Sequence, residues 1–421
     1  MELKIEQMGI NFEGVTHHEG KVCFAPGAVD GDVAMAEIAQ QKPNYFVLDV
    51  KKIITPSTFR TKPKCPHFFD CGGCDCEHVC YDHQLKVKVS NVASTIKKIA
   101  KLDVNIKKIT PSEHQYGYRN KVCFFVQNGK IGLKKKSSNQ LVETHKCLLA
   151  NDQINNVLNL IRQTVKIPPS LSHIVLRNHN NQVLVTFVVN KKTHNLNLSN
   201  FLSQLNPDLF GVYININSKQ NGQIFGKNFV HVFGKKTIDV TFDEMQFEIG
   251  PESFFQINFD VCKKLYGAAA QLCDGENVFE CYSGTSILGA QIAKKAKHVC
   301  GIEVCGEACR LAKQHLALNN IKNVEVVCQK VEDCLPNLIT CHSSKKTTVL
   351  LDPPKAGCNK KVIDCLLSAL PQKIVYISCS PQTLARDIAM LKSSYAITHL
   401  SVFDMFPQTK HIESLVCLEK I

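Results

Sequence analysis

The sequence predicts an α/β fold, with a doubly wound parallel sheet in the carboxyl-terminal region and two strand-rich regions before it. Three patterns indicate this. From about residue 250 to the end, short apolar runs alternate with helical periodicity, as in a parallel sheet covered on both faces. Between about residues 116 and 247 the runs are short and strand-like. In the first 55 residues, apolar and polar positions alternate between glycines.

The first 55 residues give the amino-terminal element of this fold. Runs such as 21–24 and 45–50 alternate between apolar and polar side chains, and glycines separate the runs. This pattern favours a small antiparallel barrel of the oligonucleotide-binding (OB) kind.

A cysteine-dense segment comes next, followed by the strand-rich middle region. Apolar residues recur at helical spacing over 84–99, which predicts a helix leading out of the cysteines, and 152–165 predicts a second helix. Apolar runs at 183–189 and 211–216 predict strands. The cysteines occupy positions 65, 71, 74, 76 and 80.

Six apolar runs in the last region predict the strands of the parallel sheet. They are 277–281, 299–303, 324–327, 347–351, 373–378 and 415–419. Ligands of doubly wound folds bind at the carboxyl ends of the strands, so the residues just after these runs are the candidates for a site.

Composition limits the class of function. The 421 residues suffice for two or three domains, and 50 Lys plus Arg against 37 Asp plus Glu give a net charge of +13, which favours a nucleic-acid partner. No signal peptide is predicted, and no uncharged apolar stretch approaches the roughly 18 residues of a membrane helix. We expect a cytoplasmic protein without a membrane role, whose 21 cysteines are buried groups, metal ligands or nucleophiles rather than disulfides.

The turn after the first strand of the sheet predicts a nucleotide-like cofactor. Gly284 lets the backbone approach a bound molecule, and Glu303, 19 positions later, ends the second strand, where an acid can accept hydrogen bonds from ribose hydroxyls. Dinucleotide enzymes share this pair, but Ser286 stands where their second glycine would be. S-adenosylmethionine has no pyrophosphate, so the turn favours this methyl donor.

Two later strands end in chemically informative segments. Asp352 leaves an apolar strand into two prolines, which fix its carboxylate at the edge of the sheet. Enzymes that methylate amino groups carry an aromatic residue after a similar turn, whereas Lys355 stands here, so amine methylation ranks lower. Cys379 follows the next strand and is a candidate nucleophile, although a buried structural cysteine is the default reading.

A cysteine beside a methyl donor suits methylation of carbon 5 of uracil. This carbon is a poor nucleophile, but a thiolate that adds to carbon 6 makes an enolate whose carbon 5 is electron-rich. A base must then remove the proton from carbon 5 before the thiol leaves. His411 and Glu413 both precede the last strand, and their titration properties alone leave the choice between them open.

Five motifs in order resemble the RNA uracil-5-methyltransferases. They are 118–121 (YRNK), 253–258 (SFFQIN), 352–357 (DPPKAG), 376–387 (YISCSPQTLARD) and 404–413 (DMFPQTKHIE). The resemblance extends along nearly the whole chain. It implies a Rossmann-like class I methyltransferase domain over 248–421, an OB-fold barrel known as a TRAM domain over 1–57, and a central RNA-binding domain over 58–247. The helix over 84–99 would then pack on the catalytic domain.

The resemblance also implies the roles of the site residues. Cys379 would be the nucleophile and Glu413 the base, and the target base would be flipped out of its stack to reach the thiol. Four residues would line the site of the methyl donor: Gln256, Tyr282, Glu303 and Asp352.

The sequence departs from the family pattern at three positions. Glu280 replaces an aspartate, Ser286 a glycine and Ser380 an asparagine. These changes bear on the affinity for the methyl donor more than on the type of reaction, and they could accompany a loss of activity.

The cysteine-dense segment predicts a metal centre. Cys65, Cys71 and Cys74 supply three thiolates, a set that suits zinc or an iron–sulfur cluster, and the two cysteines that follow them are the nearest candidates for a fourth ligand. Branches of the resembled family carry a 4Fe-4S cluster whose fourth ligand lies much later, at the position of Cys147. The resemblance therefore favours a structural 4Fe-4S cluster over zinc.

The identity of the RNA stays open at this stage. The cysteine pattern leans toward large-subunit (23S) ribosomal RNA, but relatives that carry it also act on transfer RNA. Two other functions stay open. A cytosine-5 methyltransferase would use the same covalent cysteine adduct, and a catalytically silent RNA-binding protein would keep the barrel and the cysteines. A monomer is the default expectation.

Overall fold

The computed structural model describes residues 1–106, 108–191, 196–219, 222–341 and 346–421. These residues form sheets of six, seven, two and eight strands, with helices packed on the larger sheets. Within the described ranges, no helix combines the length and the apolar character that crossing a membrane requires.

The amino-terminal residues form a barrel-like region around a small apolar core. Its strands are β1 (Glu2–Lys4), β2 (Gln7–Met8), β3 (Gly14–His18), β4 (Lys21–Ala25), β5 (Val33–Gln41) and β6 (Tyr45–Thr55). They pair in the order β1-β5-β6-β4-β3-β2. The strands are antiparallel as predicted, except that β4 pairs with β6 in parallel.

Helix α1 (Tyr81–Ala100) follows the cysteine segment and covers the predicted span of 84–99. Its apolar stripe, which includes Val92 and Ile96, packs into the core of the carboxyl-terminal sheet and against the late helix Pro381–Leu391. The helix ends at Lys101, which adopts the left-handed conformation with φ of 58°. Helix α1 therefore belongs to the layer of helices that covers one face of the carboxyl-terminal sheet.

The middle region is a seven-stranded sheet whose order is β10-β9-β8-β11-β12-β13-β14. Its strands are β8 (Lys121–Gln127), β9 (Lys130–Lys134), β10 (Leu141–Glu143), β11 (Leu171–His179), β12 (Gln182–Val189), β13 (Phe210–Ile216) and β14 (Asn228–Gly234). The helices α2 (Asp152–Thr164) and α3 (Ser199–Leu202) pack on one face, which agrees with the predicted helix over 152–165.

A hairpin of β15 (Ile238–Phe242) and β16 (Met245–Ile249) connects the middle region to the last one. Its inward residues, such as Val240 and Phe247, pack into the core of the carboxyl-terminal sheet. The predicted boundary between residues 247 and 248 falls inside β16. The whole hairpin packs with the carboxyl-terminal core.

The carboxyl-terminal sheet has eight strands in the order β19-β18-β17-β20-β21-β23-β22-β7. They are β7 (Lys108–Thr110), β17 (Asn277–Cys281), β18 (His298–Glu303), β19 (Val324–Cys328), β20 (Thr347–Leu351), β21 (Lys373–Ser378), β22 (Tyr395–Phe403) and β23 (Glu413–Lys420). The six predicted strands are present, but the sheet is mixed: β23 is antiparallel to β21 and β22.

Helices cover both faces of this sheet. They are α4 (Phe259–Leu272), α5 (Ile287–Ile292), α6 (Gly306–Leu318), α7 (Val331–Cys341), α8 (Lys360–Ala369) and α9 (Pro381–Leu391). Helices α4 to α6 share one apolar core and α7 to α9 share the other with α1. The strand order reverses at β17, between β18 and β20, which makes a crevice at the carboxyl end of the sheet.

Candidate active site

A cavity of about 410 Å³, here called the donor cavity, opens at this crevice. Its size is within the usual range for a small-molecule site. The loops after β17, β20 and β21 contribute to it, as do the last residue of β18 and the start of β23. All six residues that the resemblance assigns to the donor site and to catalysis line this cavity: Gln256, Tyr282, Glu303, Asp352, Cys379 and Glu413.

Glu303 ends β18 at one end of the cavity. Its Oε2 accepts a hydrogen bond from the Gly284 N–H at 2.9 Å, and its Oε1 accepts one from the Cys305 N–H at 2.8 Å. Two backbone amides thus fix the carboxylate, and each oxygen keeps a lone pair for a further donor. This geometry suits a pair of ribose hydroxyls.

The turn after β17 has unusual backbone geometry. Tyr282, Gly284 and Ser286 all adopt positive φ, at 65°, 55° and 54°. Such conformations cost free energy for residues with a side chain, and they cluster at active sites and ligand-binding loops. Tyr282 and Gly284 both line the donor cavity. The strained turn is therefore in the place expected for a cofactor loop.

Two of the three departures from the family pattern contact each other beneath this turn. The Ser286 hydroxyl donates to Glu280 Oε2 at 2.8 Å, and the Gly289 N–H donates to Glu280 Oε1 at 3.1 Å. A Cβ at Gly289 would lie 2.3 Å from Glu280 Oε2, so a side chain there would displace the Glu280 carboxylate. Burial raises the pKa of Glu280 to about 8. The third departure, Ser380, caps α9 through its side chain.

Asp352 and Glu413 bring two carboxyl groups to the middle of the cavity. Burial raises the pKa of Asp352 to about 7. Glu413 is 4% exposed, and burial, followed by repulsion from Asp352, raises its pKa well above the ordinary value. A cation placed between these groups would favour their ionised forms. The cavity therefore suits a positively charged ligand such as a sulfonium.

Cys379 lies directly after β21 and is partly exposed to the same cavity. Burial, and then the negative charges of Glu413 and Asp352, raise the pKa of its thiol to about 11, whereas its own N–H and the Lys355 ammonium act in the opposite direction. The resting sulfur is a thiol, so it must lose its proton before it can act as a nucleophile.

His411 and Glu413 face different spaces. Glu413 lines the donor cavity, whereas His411 lines a neighbouring cavity and does not line the first one. The loop that carries both residues is held from α1, because the fully buried Lys88 Nζ donates to Asp404 Oδ1 at 2.6 Å and the Tyr81 hydroxyl donates to Asp404 Oδ2 at 2.8 Å.

The motif over 118–121 holds parts of the site together, a role that its sequence alone did not reveal. The Asn120 side chain donates to the Gln256 carbonyl at 2.9 Å, and the Tyr118 hydroxyl donates to the Pro407 carbonyl at 3.0 Å. Arg119 donates to the Gly73 carbonyl in the cysteine segment at 3.3 Å. Phe254, which belongs to the motif over 253–258, also lines the cavity and is 71% exposed. Its place in the site was not predicted from the sequence.

The four cysteines predicted as metal ligands line one small pocket: Cys65, Cys71, Cys74 and Cys147. Burial raises the pKa of the thiols of Cys65, Cys71 and Cys74. Cys76 and Cys80 do not line this pocket, since Cys76 packs in an apolar cluster and Cys80 precedes α1. Across the described ranges, no three His, Cys, Asp or Glu side chains form a ready-made metal site.

A mixed Rossmann-like sheet with an acid fixed at the end of β18, a pair of carboxyls that favours a cation and a neighbouring thiol fits the class of S-adenosylmethionine-dependent methyltransferases. The comparisons narrow this class. The family described as tRNA (Uracil-5-)-methyltransferase matches residues 80–421, and the chain belongs to it. The resemblance deduced from the motifs is thereby confirmed, and the protein is an RNA methyltransferase.

Individual relatives agree with this assignment. An uncharacterized RNA methyltransferase of Clostridium acetobutylicum is 32% identical over 446 residues, covering 100% of this chain and 97% of the relative. One of Fusobacterium nucleatum is 32% identical over 444 residues, covering 100% and 96%. The crystal structure of Pyrococcus abyssi tRNA (uracil-54, C5)-methyltransferase with S-adenosyl-L-homocysteine covers 99% of this chain and 100% of its own, with 25% identity and a TM-score of 0.80.

Proposed function

We propose that this protein transfers a methyl group to carbon 5 of a uridine in RNA through a covalent bond between Cys379 and carbon 6. One observation carries the proposal: the Cys379 thiol and the Glu413 carboxyl line the same cavity as the donor-site residues. A flipped uracil in this cavity could meet a nucleophile, a base and a methyl donor together. The structure of a relative with S-adenosyl-L-homocysteine supports the donor.

The residues divide the reaction as follows. S-adenosylmethionine supplies an electrophilic methyl group. The thiol proton of the partly exposed Cys379 passes to solvent water, and the thiolate bonds to carbon 6 as the electron pair of the C5=C6 double bond moves into an enolate. Carbon 5 of this enolate takes the methyl group, with S-adenosylhomocysteine as the leaving group. The Glu413 carboxylate then takes the proton from carbon 5, and the electron pair of that C–H bond restores the ring double bond as the thiolate leaves.

We assign the base to Glu413 rather than His411. Only Glu413 shares the donor cavity with Cys379 and Asp352, while His411 faces the neighbouring cavity. The raised pKa of Glu413 makes it a stronger base than an ordinary carboxylate. Gln256, Tyr282, Glu303 and Asp352 are proposed to hold the methyl donor.

The covalent step can be tested with Cys379→Ala and with RNA that contains 5-fluorouracil. We expect the variant to lose methyl transfer by at least about 10⁴-fold, the scale seen when a nucleophile is removed. Fluorine cannot leave as a proton does, so wild-type protein should stay bonded to the fluorinated RNA on a denaturing gel. Cys80→Ala, at a half-buried cysteine outside the cavity, is the control. Turnover by Cys379→Ala would reject the mechanism.

We propose 23S ribosomal RNA as the substrate, from the cysteine pattern, and transfer RNA as the alternative. The alternative has specific support, because the Pyrococcus abyssi neighbour is a tRNA (uracil-54, C5)-methyltransferase and the family carries a tRNA description. Mapping 5-methyluridine in both RNAs from cells with and without the gene distinguishes the two. Loss of the modification from transfer RNA alone would overturn the ribosomal choice.

We propose that Cys65, Cys71, Cys74 and Cys147 hold a structural 4Fe-4S cluster. Four thiols line one pocket, and a bound metal stabilises such groups as thiolates. The described residues do not form a ready-made metal site, so binding of the cluster would have to draw the four sulfurs together. Zinc is the alternative for the same thiols. Iron, sulfide and zinc analysis of anaerobically purified protein tests this choice.

We also propose that the protein acts as a cytoplasmic monomer. Within one chain, the six residues assigned to the donor site and to catalysis already line a single cavity. Light scattering of the purified protein, free and with RNA, tests the monomer, and a stable dimer would contradict it.

A further inference from the structure

A second cavity, here called the flank cavity, adjoins the donor cavity and has no role in the reaction described above. Its volume is about 210 Å³, and it shares Lys355 and Cys379 with the donor cavity. Three separated parts of the chain line it: the barrel at Ile10 and Asn11, helix α1 at Asn91 and Thr95, and the catalytic region at Gln382 and His411. Cys379 therefore lies in the wall between two cavities.

The target uracil itself belongs in the donor cavity. The proposed mechanism requires the Cys379 sulfur at carbon 6 and the Glu413 carboxylate at carbon 5 of the same ring. Glu413 lines the donor cavity and does not line the flank cavity. The flank cavity is therefore free for another part of the RNA.

The polar groups of the flank cavity match the edge of a nucleobase. Asn91 uses its amide nitrogen on the Gly9 carbonyl at 3.5 Å, and Gln382 uses its amide oxygen on Ser380 at 3.4 Å. In the described parts of the chain, the Asn91 oxygen and the nitrogen of the exposed Gln382 accept or donate no further hydrogen bond, and Lys355 has no ion pair. Bases in single-stranded RNA are read by such mixed donors and acceptors.

The flank cavity also leads onward to an open groove under the barrel. That groove has a volume of about 730 Å³ and shares Asn11, Lys410 and His411 with the flank cavity. Phe24 and Tyr45 line the groove, and their ring centroids lie 5.4 Å apart. Aromatic rings and cations along a groove are typical of single-strand binding. A strand that leaves the donor cavity can thus continue through the flank cavity.

We infer that the flank cavity binds the base next to the target uridine and sets the local sequence preference of methyl transfer. The inference rests on the proposed function. It assigns Asn91 and Gln382 as the residues that contact this base, and it places the barrel beside the base, since Ile10 and Asn11 line the same cavity.

The test uses a hairpin library whose loop holds one uridine between randomised neighbours. Wild-type protein, Asn91→Ala and Gln382→Ala are each reacted, and the methylated fraction is sequenced. We expect wild-type protein to prefer particular bases on one side of the uridine, and each variant to reduce that preference about fivefold or more, the usual effect of losing a base contact. Gln314→Ala, at an exposed glutamine of α6, is the matched control and should keep the preference.

Three results would count against the inference. Wild-type protein that methylates the uridine without a preference at either neighbour overturns it, as do active variants whose preference equals that of wild type. If wild-type protein methylates carbon 5 of uracil in no RNA, including total cellular RNA, then the proposed function fails and the inference falls with it.

Discussion

The donor cavity and the cysteine pocket both bury groups that must become negatively charged, but the first is built at strand ends and the second by a loop. In each, burial raises the pKa of groups that become negative, Asp352 in the first and Cys71 and Cys74 in the second. The donor cavity is built at strand ends of one sheet, whereas the pocket joins a loop to the distant Cys147. The paired strands of the sheet fix the strand ends that line the donor cavity.

The cysteine loop is held by individual contacts rather than by a sheet. Its Gly72 N–H donates to the Lys134 carbonyl at 2.8 Å, its Asp75 N–H donates to the Gln408 carbonyl at 2.9 Å, and Cys71 forms a bridge with Lys135. A bound metal centre would add a cross-link to Cys147. We therefore expect substitutions in the donor cavity to lower catalysis with little effect on stability. Substitutions in the cysteine pocket should lower stability with little effect on donor binding.

The largest effect that tests this contrast is expected for Glu413→Gln. Loss of the base should lower the rate of methyl transfer by about 10² to 10⁴-fold and leave the covalent protein–RNA bond in place, because the carbon-5 proton cannot be removed. Rates and denaturing gels measure the two effects. The melting temperature should fall little, because glutamine is isosteric.

His411→Gln is the control for that prediction. It faces the flank cavity, so the covalent complex should not accumulate with it. If His411→Gln trapped the complex and Glu413→Gln turned over normally, the assignment of the base would be reversed.

Cys147→Ser tests the other side of the contrast. If Cys147 is the fourth ligand, the variant should lose metal and visible absorbance and become less stable by a few kcal/mol, the order expected for a structural metal. Donor binding to the folded fraction should persist. Cys80→Ser, outside the pocket, should keep its metal. A Cys147→Ser protein with full metal content would remove Cys147 from the ligand set.

The difference between a site at strand ends and a site made by a loop and a distant residue also explains which features the sequence could predict. Periodicity located the helix over 84–99 and the six strands, and the strand-end rule selected Glu303, Asp352 and Cys379. Periodicity missed β22, which mixes polar and apolar residues, and the edge strand β7, which has three residues. The antiparallel direction of β23 depends on chain reversal through β22, which periodicity does not report.

Contacts between distant segments were beyond local patterns. Residues 118–121 were recognised only as a motif, and their bonds to Gln256 and Pro407 depend on how three regions pack. Cys147 came from the resemblance, because nothing in its local sequence distinguishes it from the other cysteines. Contacts between residues that are distant in sequence can be predicted only from a known fold or from resemblance to a family.

A pH series sharpens the account of the donor cavity. Burial raises the pKa of Asp352 to about 7, so this carboxyl is mostly protonated at pH 6 and mostly ionised at pH 8. A sulfonium favours the ionised form, so the affinity for S-adenosylmethionine should rise about tenfold between pH 6 and 8. Calorimetry measures it. S-adenosylhomocysteine is uncharged at sulfur and should show a smaller dependence, and Asp352→Asn should flatten both. Equal slopes for the two ligands would contradict this electrostatic account.

The smallest effect concerns the paired departures at Glu280 and Ser286. Their hydrogen bond supports the donor turn, so Glu280→Asp or Ser286→Gly alone should weaken donor binding by about two- to tenfold, the scale of one hydrogen bond. The double variant restores the family residues at both positions. Because the two side chains contact each other, its cost should be less than the sum of the single costs, as a double-mutant cycle on donor affinity would show. Additive costs would mean that the two departures arose as independent changes, each tolerated alone.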